Sequence, residues 1–391
     1  MVKYIMMKKL KIKNFGPIKD INIEIKPFTI LIGKSGSGKS ILMKLIYSFD
    51  IIINNLTLLI NNKQYSENIF GENKIEFDLN EIGRIFNICE IDDFFNNDTE
   101  IIYTSINNTI EVQNNKVVIF YNTQIVSEQV FISDLRYIIP DILSYNFDRS
   151  IRISEILNNT MEYFLRGLKF NDNSYKLEMF NIELLQKLNK VTNDFLLQTK
   201  DYTINYKNAS SGVKSASIIE VIISYLLKET SQERKINLDI PSKPQAQQTN
   251  IFIEEPELSL FPEHQKEILH FILKSFLSHT LEETEIKYNK LNFIISTHSP
   301  FILYYLSNIL TGIQLHKQEN LFTMGKIEKI IPKELLRLDI NDIEIYKLEE
   351  GTIASILDKK EYFINTQEMD KTAEILSNDY TDLLNLQNED L

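Results

Sequence analysis

A chain of 391 residues is long enough to bury a large core and to divide into two lobes. Its composition is globular, 43% hydrophobic and 25% charged, and a net charge of −12 disfavours a protein that coats nucleic acid over its whole surface, although a local basic cleft would not show in the total. The single cysteine, Cys89, excludes an intrachain disulfide framework and suits a reducing cytosol.

Residues 8–32 read as strands. Leu10 and Ile12 alternate with lysines, Ile21, Ile23 and Ile25 alternate with polar residues, and Gly16-Pro17 marks the turn between the two runs. No long apolar stretch follows Lys8, Lys9, Lys11 and Lys13, and no uninterrupted apolar run spans a bilayer, so a cytoplasmic location without membrane contact is expected.

Phe28 to Ile32 is a short, apolar, β-prone run that leads into Gly33-Lys34-Ser35-Gly36-Ser37-Gly38-Lys39-Ser40. This stretch fits G-x-x-x-x-G-K-[ST], a phosphate-binding loop. Glycines let backbone N–H groups turn inward around phosphate oxygens. Lys39 has the reach for the β- and γ-phosphates, and the Ser40 hydroxyl suits Mg²⁺. Ile41, Leu42, Leu45, Ile46 and Phe49 then fall on one helical face, and that helix would aim its positive end at the same anion. The expected nucleotide contacts are Gly33, Ser35, Gly36, Ser37, Gly38, Lys39, Ser40 and Ile41. The plain alternative is a Ser/Gly turn that binds nothing; the strand before and the helix after argue against it.

Residues 50–80 are weakly patterned, with an edge strand expected where Ile75, Phe77 and Leu79 alternate. Three β-like runs, Thr109 to Val112, Val117 to Tyr121 and Val130 to Ile132, are expected to extend the first sheet. After Pro140 the spacing becomes helical, as in Ile182, Leu185, Leu188, Val191 and Phe195, and predicts a helical subdomain inserted between the lobes. Residues 230–249 are polar with two prolines and read as a loop. Ile251-Phe252-Ile253 and Phe293-Ile294-Ile295, with helical sequence between, have the rhythm of a buried parallel sheet. The tail shows a strand-like Lys326 to Ile331, then a hairpin from Ile343 to Leu348 and Thr352 to Leu357 around Glu349-Glu350-Gly351, then two short helices. The domain reading is 1–140 (first lobe with the phosphate loop), 141–205 (helical insert), 206–312 (second lobe) and 313–391 (an α+β extension for partner docking).

Three further segments supply parts that phosphoryl transfer to water needs. Ile251-Phe252-Ile253 ends in Glu254-Glu255-Pro256-Glu257, and strand alternation aims neighbouring carboxylates differently. Glu254 would face Mg²⁺ while Glu255 orients or deprotonates a water; the bland alternative is a solvated acidic strand end. Asn208-Ala209-Ser210-Ser211-Gly212-Val213-Lys214 opens an apolar helix and offers an oxyanion site, or a plain serine cap. Asn292 to Pro300 delivers His298 just past the end of a strand, where α/β sheets place ligands.

In order and spacing these segments resemble the ABC-type ATPase head, most closely the bacterial branch of OLD-like, RecF-like and SMC-like ATPases. The resemblance spans residues 8–305 and rests on Asn14-Phe15-Gly16-Pro17-Ile18, the Walker A run Ser35 to Ser40, the signature Ser210-Ser211-Gly212, Walker B and D-loop at Glu254 to Glu257 with Leu260-Phe261-Pro262, and the switch histidine His298. It implies an α/β P-loop NTPase fold with a β-rich first lobe and a mainly parallel core sheet. It further implies a Mg²⁺-dependent ATPase whose two heads sandwich two ATP. Each site would take Lys39, Ser40, Glu254, Glu255 and His298 from one chain and Ser210, Ser211 and Gly212 from the other. Glu254 stands where many relatives have Asp, and Phe261 where a His is common. Gln113, Gln124 and Gln129 are the candidates for the Q-loop, and Arg136 is either a nucleotide-side or a surface arginine. Compact heads of this branch without long arms point to an anti-phage regulator with a separate nuclease or toxin effector. The alternatives are a RecF-like DNA-repair ATPase and a slow ATP-gated clamp.

Overall fold

The computed structural model describes residues 8–61, 74–105, 108–121, 127–144, 153–188, 193–236, 248–278, 290–317 and 321–366, with 375, 378 and 379. Two sheets and the helix between them set the architecture. The first is antiparallel: β1 (Lys8–Phe15), β2 (Ile18–Ile25), β4 (Lys74–Asp78), β5 (Glu100–Ser105), β6 (Asn108–Gln113) and β7 (Lys116–Phe120), in the order β2-β1-β5-β6-β7-β4. The second joins β3 (Phe28–Ile32), β8 (Ser127–Ile132), β13 (Gln248–Glu254), β14 (Lys290–Thr297), β15 (Ile343–Glu349) and β16 (Thr352–Ser355), in the order β16-β15-β3-β14-β13-β8. Within it β15, β3, β14, β13 and β8 run parallel, and β16 returns antiparallel.

The expected edge strand at 75–79 is β4, at the border of the antiparallel sheet. Thr109 to Val112 and Val117 to Tyr121 extend that sheet as expected, whereas Val130 to Ile132 does not. These three residues are fully buried, and β8 lies beside β13 in the parallel sheet. A run apolar on both faces belongs where both faces are covered.

Helix α1 (Lys39–Asn61) fills the space between the sheets. Phe49 stacks on Tyr103 of the antiparallel sheet, ring centroids 5.4 Å apart. Two residues earlier, Tyr47 meets Phe131 and Phe252 of the parallel sheet edge-on at 5.2 and 5.4 Å. This position explains why Lys39–Leu59 is apolar enough to pass for a membrane span by composition: two thirds of that window is buried inside the protein. Alternation along the parallel strands sorts the core. Leu31, Phe131, Phe252 and Ile294 face α1, while Ile30, Ile132, Ile253 and Ile295 face the opposite helical layer.

That layer includes α4 (Glu155–Phe170), α5 (Ser211–Ile236), α6 (Pro262–Ser278), α7 (Pro300–His316) and α8 (Leu321–Ile330). Two shorter helices, α2 (Leu79–Ile88) and α3 (Ile139–Ser144), sit elsewhere in the chain. Residues 141–205 depart from the helical expectation. After α4 they form a four-stranded antiparallel sheet of β9 (Ser174–Leu177), β10 (Ile182–Leu188), β11 (Asn193–Gln198) and β12 (Thr203–Asn205). Leu184 pairs with Leu197 across it and both are buried against α4 and α5. Asp172, Asn173 and Asn181 take left-handed φ of 55°, 62° and 51°, the turn chemistry of Asn and Asp. Val191 lies outside the described residues.

The tail departs once as well. Lys326 to Ile331 is mostly helix α8 rather than strand, because Ile327 and Ile331, four residues apart, are both buried. The hairpin at 343–355 forms as expected, and β15 lies directly beside β3. The two closing helices expected in the tail fall largely outside the described residues.

At the N-terminal end of the parallel strands a polar network is buried. Asp50 of α1 accepts from Lys8 Nζ and Tyr103 Oη, each at 2.6 Å, and from Asn250 Nδ2 at 3.1 Å. Asn250 also donates to Gln129 at 3.0 Å, and Asn292 donates to Asn250 at 2.9 Å. This network ties the two sheets and α1 together at the end opposite the phosphate loop.

Candidate nucleotide site

Strand register brings the sequence motifs together. β14 pairs with β3 so that Thr297 lies opposite Ile32, and with β13 so that Ser296 lies opposite Glu254. The chain leaves all three strands at one level, which puts Gly33, Glu255 and His298 at the same C-terminal edge.

The loop between β3 and α1 keeps the expected form. Gly36 and Gly38 have φ of 78° and 103°, backbone that a side chain would strain. A Cβ on Gly33 would lie 2.4 Å from the Leu348 carbonyl oxygen, so β15 packs against the loop where only glycine fits. Leu42 N–H donates to Gly38 O and starts the α1 ladder. Lys39 is buried, and its ammonium donates to the carbonyls of Gly33 at 2.8 Å and Lys34 at 3.0 Å. Burial pushes Lys39 down to about 8, against the opposing pull of Glu255 and Glu257. Ser37 Oγ is buried with no hydrogen-bond partner, a donor facing no protein acceptor.

A relay connects Lys39 to the strand ends. His298 Nδ1 lies 3.4 Å from Lys39 Nζ, and His298 Nε2 lies 3.1 Å from Glu255 Oε1. The ammonium has only protons to offer, so Nδ1 is the nitrogen placed to accept and Nε2 the one placed to donate to the carboxylate. Glu255 itself has φ of 43°, a left-handed conformation rare for a non-glycine residue and worth about 1–3 kcal/mol of strain. Its N–H donates to Ser296 O at 2.9 Å.

Glu254 behaves differently from its neighbour. It is buried, the Ser40 side chain opposes the upward shift of its carboxyl, and the Asp134 N–H approaches its Oε2 at 3.4 Å. Burial, then the Asp134 carboxylate, raise it above its ordinary value. A hydroxyl and a carboxylate side by side are hard oxygen donors of the kind Mg²⁺ takes. The residues present therefore fit a Mg²⁺-nucleotide: an inward-turning glycine loop, a buried lysine, the unpartnered Ser37 hydroxyl and the Ser40–Glu254 pair.

Two residues outside the expected roles hold the site. Glu257 Oε1 accepts from Thr297 Oγ1 at 2.6 Å, from His298 N at 2.8 Å and from Ser299 N at 3.2 Å. It fixes the turn that carries His298. Its position two residues after Glu255 was visible in the sequence, but nothing there gave it a partner. Arg136 is fully buried and not a surface residue. Two of the Q-loop candidates do not reach the site: Gln129 belongs to the buried network at the far end, and Gln113 bonds Glu100 at the surface. Gln124 lies outside the described residues. At the C-terminal end of β8 the chain places Ser133 and Asp134 beside Glu254 instead.

The signature segment stands apart. Ser210 caps α5 by accepting from Val213 N at 3.4 Å, and Ser210 and Ser211 are exposed. Gly212 is buried against the segment that follows Glu257, where a Cβ would meet Ser259 O at 2.6 Å. Among the described residues no hydrogen bond joins Ser210, Ser211 or Gly212 to the phosphate loop.

No family model and no curated protein matches this chain. Among solved structures it is similar to the SMC head domain from Thermotoga maritima, at 11% identity and a TM-score of 0.35 over 90% of this chain and 98% of that one. It is also similar to the recombination mediator protein RecF of the RecFOR pathway, at 11% identity and 0.34 over 90% and 98%. A third likeness is to the ATP-binding cassette MJ0796 in a dimeric post-hydrolysis state with ADP and Pi, at 11% identity and 0.32 over 89% and 99%. At these scores the functional reading rests on the strand, loop and side-chain geometry of this chain.

Proposed function

We propose that the protein binds and hydrolyses ATP with Mg²⁺. The observation that carries this reading is the Lys39–His298–Glu255 relay at the mouth of a glycine loop of Walker A form. Lys39 would hold the terminal phosphates, and Ser40 with Glu254 would hold Mg²⁺, which supplies charge neutralisation on the phosphate oxygens when bound. Glu255 would orient and deprotonate the attacking water. His298 holds that carboxylate through Nε2 and would turn the same N–H to a phosphate oxygen as the proton leaves water.

The working unit in this proposal is a head-to-head dimer gated by nucleotide. Its support is the exposure of Ser210 and Ser211 at the positive end of a long helix, with no hydrogen bond to the phosphate loop of the same chain among the described residues. A second chain would present Ser210, Ser211 and Gly212 to the nucleotide. We place this ATPase as the regulator of an anti-phage system whose nuclease or toxin is a separate protein docking on residues 313–391. A DNA-repair role ranks second. Two of the β1 lysines that could have formed a basic face are matched by acids, Lys9 to Glu24 at 3.3 Å and Lys13 to Glu100 at 3.9 Å.

The test measures phosphate release and ATP-dependent dimerisation for wild type, Lys39→Ala and Glu255→Gln, with co-purifying protein and nucleic acid identified. Phosphate release by wild type, abolished in both variants, supports the ATPase. Equal release by all three removes it. A stoichiometric nuclease or toxin supports the defence role, and duplex DNA alone supports the repair role.

A further inference from the structure

Arg136 is a fully buried arginine that, among the described residues, hydrogen-bonds no carboxylate oxygen. It lies in the 3-10 turn Asp134–Ile138 that follows β8. Its guanidinium instead spends four hydrogen bonds on main-chain carbonyls. Nη1 donates to Ser133 O at 3.0 Å and Glu254 O at 2.6 Å, Nη2 donates to Glu255 O at 2.5 Å, and Nε donates to Ser215 O at 3.3 Å. Three elements thus converge on one side chain: the turn after β8, the acidic end of β13, and the first turns of α5.

The carbonyls at the centre of this fork belong to the residues proposed for Mg²⁺ and for water activation. Glu255 is left-handed at φ 43°, and its peptide would relax if released. It is pinned on one side by its N–H to Ser296 O and on the other by Arg136 on its carbonyl. The planar five-donor fork spreads these four bonds over three nitrogens, whereas a lysine ammonium has three donors on a single atom. The fourth bond ends on Ser215, one turn into the helix that begins at Ser211.

We propose that Arg136 is a positioning residue that holds Glu255 in its strained, water-facing conformation and yokes it to the start of α5. It touches no substrate; it acts through the Glu255 and Ser215 backbone. An anion engaging the N-terminal end of α5 then bears on the same guanidinium that sets the carboxylate. The proposal rests on the reading of Glu255 as the water-activating group.

The experiment uses the full chain as wild type, Arg136→Lys, Arg136→Ala and Glu255→Gln. Thermal melting establishes folding, a fluorescent ATP analogue reports affinity, and steady-state turnover reports kcat. In Arg136→Ala kcat falls on the order of 10²-fold, the scale of displacing a reacting group by about 1 Å, with analogue affinity retained. Guanidinium chloride below its unfolding range restores part of that rate in Arg136→Ala and none in Glu255→Gln. Arg136→Lys is intermediate. A folded Arg136→Lys or Arg136→Ala with wild-type kcat overturns the proposal. So does a parallel loss of affinity and kcat without rescue by guanidinium, which is what a merely structural arginine gives. If Arg136→Ala does not fold, Arg136→Lys decides alone. Full turnover in Glu255→Gln, whatever Arg136 does, removes the underlying reading instead.

Discussion

His298 and Glu255 face each other at 3.1 Å, imidazole Nε2 to carboxylate Oε1, although 42 residues separate them in the chain along with a helix and a strand. The contact exists because β13 and β14 are neighbours in register and both stop at the same level. The pairing makes the carboxylate the group to test first. Glu255→Gln keeps the volume and removes the base, so turnover is expected to fall by roughly 10²-fold or more with ATP still bound. Phosphate release and ATP-dependent dimerisation, measured on one preparation, check both halves; normal turnover would reassign the base.

Lys39 gives a pH dependence with a definite sign. Burial depresses it to about 8 from the ordinary 10.5, so between those two values the unfolded chain binds more protons than the folded one. Stability from this group is therefore lowest below about pH 8 and recovers as pH rises towards 10.5. Phosphate binding at the proposed site would run the other way, because it would need the ammonium. Affinity for an ATP analogue is expected to weaken as pH rises through 8, and the slope is expected to vanish in Lys39→Ala. An identical slope in both proteins would locate the titration elsewhere.

The network around Asp50 separates folding from function. Asp50→Ala would leave the Lys8 ammonium, Tyr103 hydroxyl and Asn250 amide buried without their shared acceptor. Breaking a buried pair in this way costs about 3–5 kcal/mol. Denaturant unfolding should show that loss, while nucleotide affinity of the folded fraction stays near wild type, because the network lies at the opposite end of the strands.

Ser210→Arg places a long cation at an exposed cap, where it disturbs little of the single chain. The variant should fold and bind nucleotide as a monomer yet fail to dimerise with ATP. Light scattering with and without ATP reads the outcome, and a variant that still pairs would remove the signature from the interface.

The sequence made legible those parts whose chemistry is local. The phosphate loop, the strands that precede and follow it, and the acidic strand end are each written in a short run. Two kinds of feature were hidden. The sheet at 174–205 was masked because Ile182, Leu185 and Leu188 satisfy a helical period by coincidence, while the Asn and Asp residues that turn the strands are common everywhere in this chain. Arg136 and Glu257 act on main-chain atoms far away in sequence, and a backbone carbonyl leaves no mark in a sequence.

β3, which carries the phosphate loop, lies between β14 and β15, and β15 begins at Ile343. A ribosome that has just finished Thr297 has made the loop, both acidic residues and the strand leading to His298. Yet one flank of β3 still lacks its neighbour, and the Leu348 carbonyl is missing from beside Gly33. Formation of the nucleotide pocket is thereby postponed until some 50 further residues emerge, the kind of long-range closure that slows folding. Nascent or prematurely terminated chains that stop short of β15 would carry the motif without a finished pocket, so that in the proposed ATPase readiness to take nucleotide would report that synthesis has passed this point.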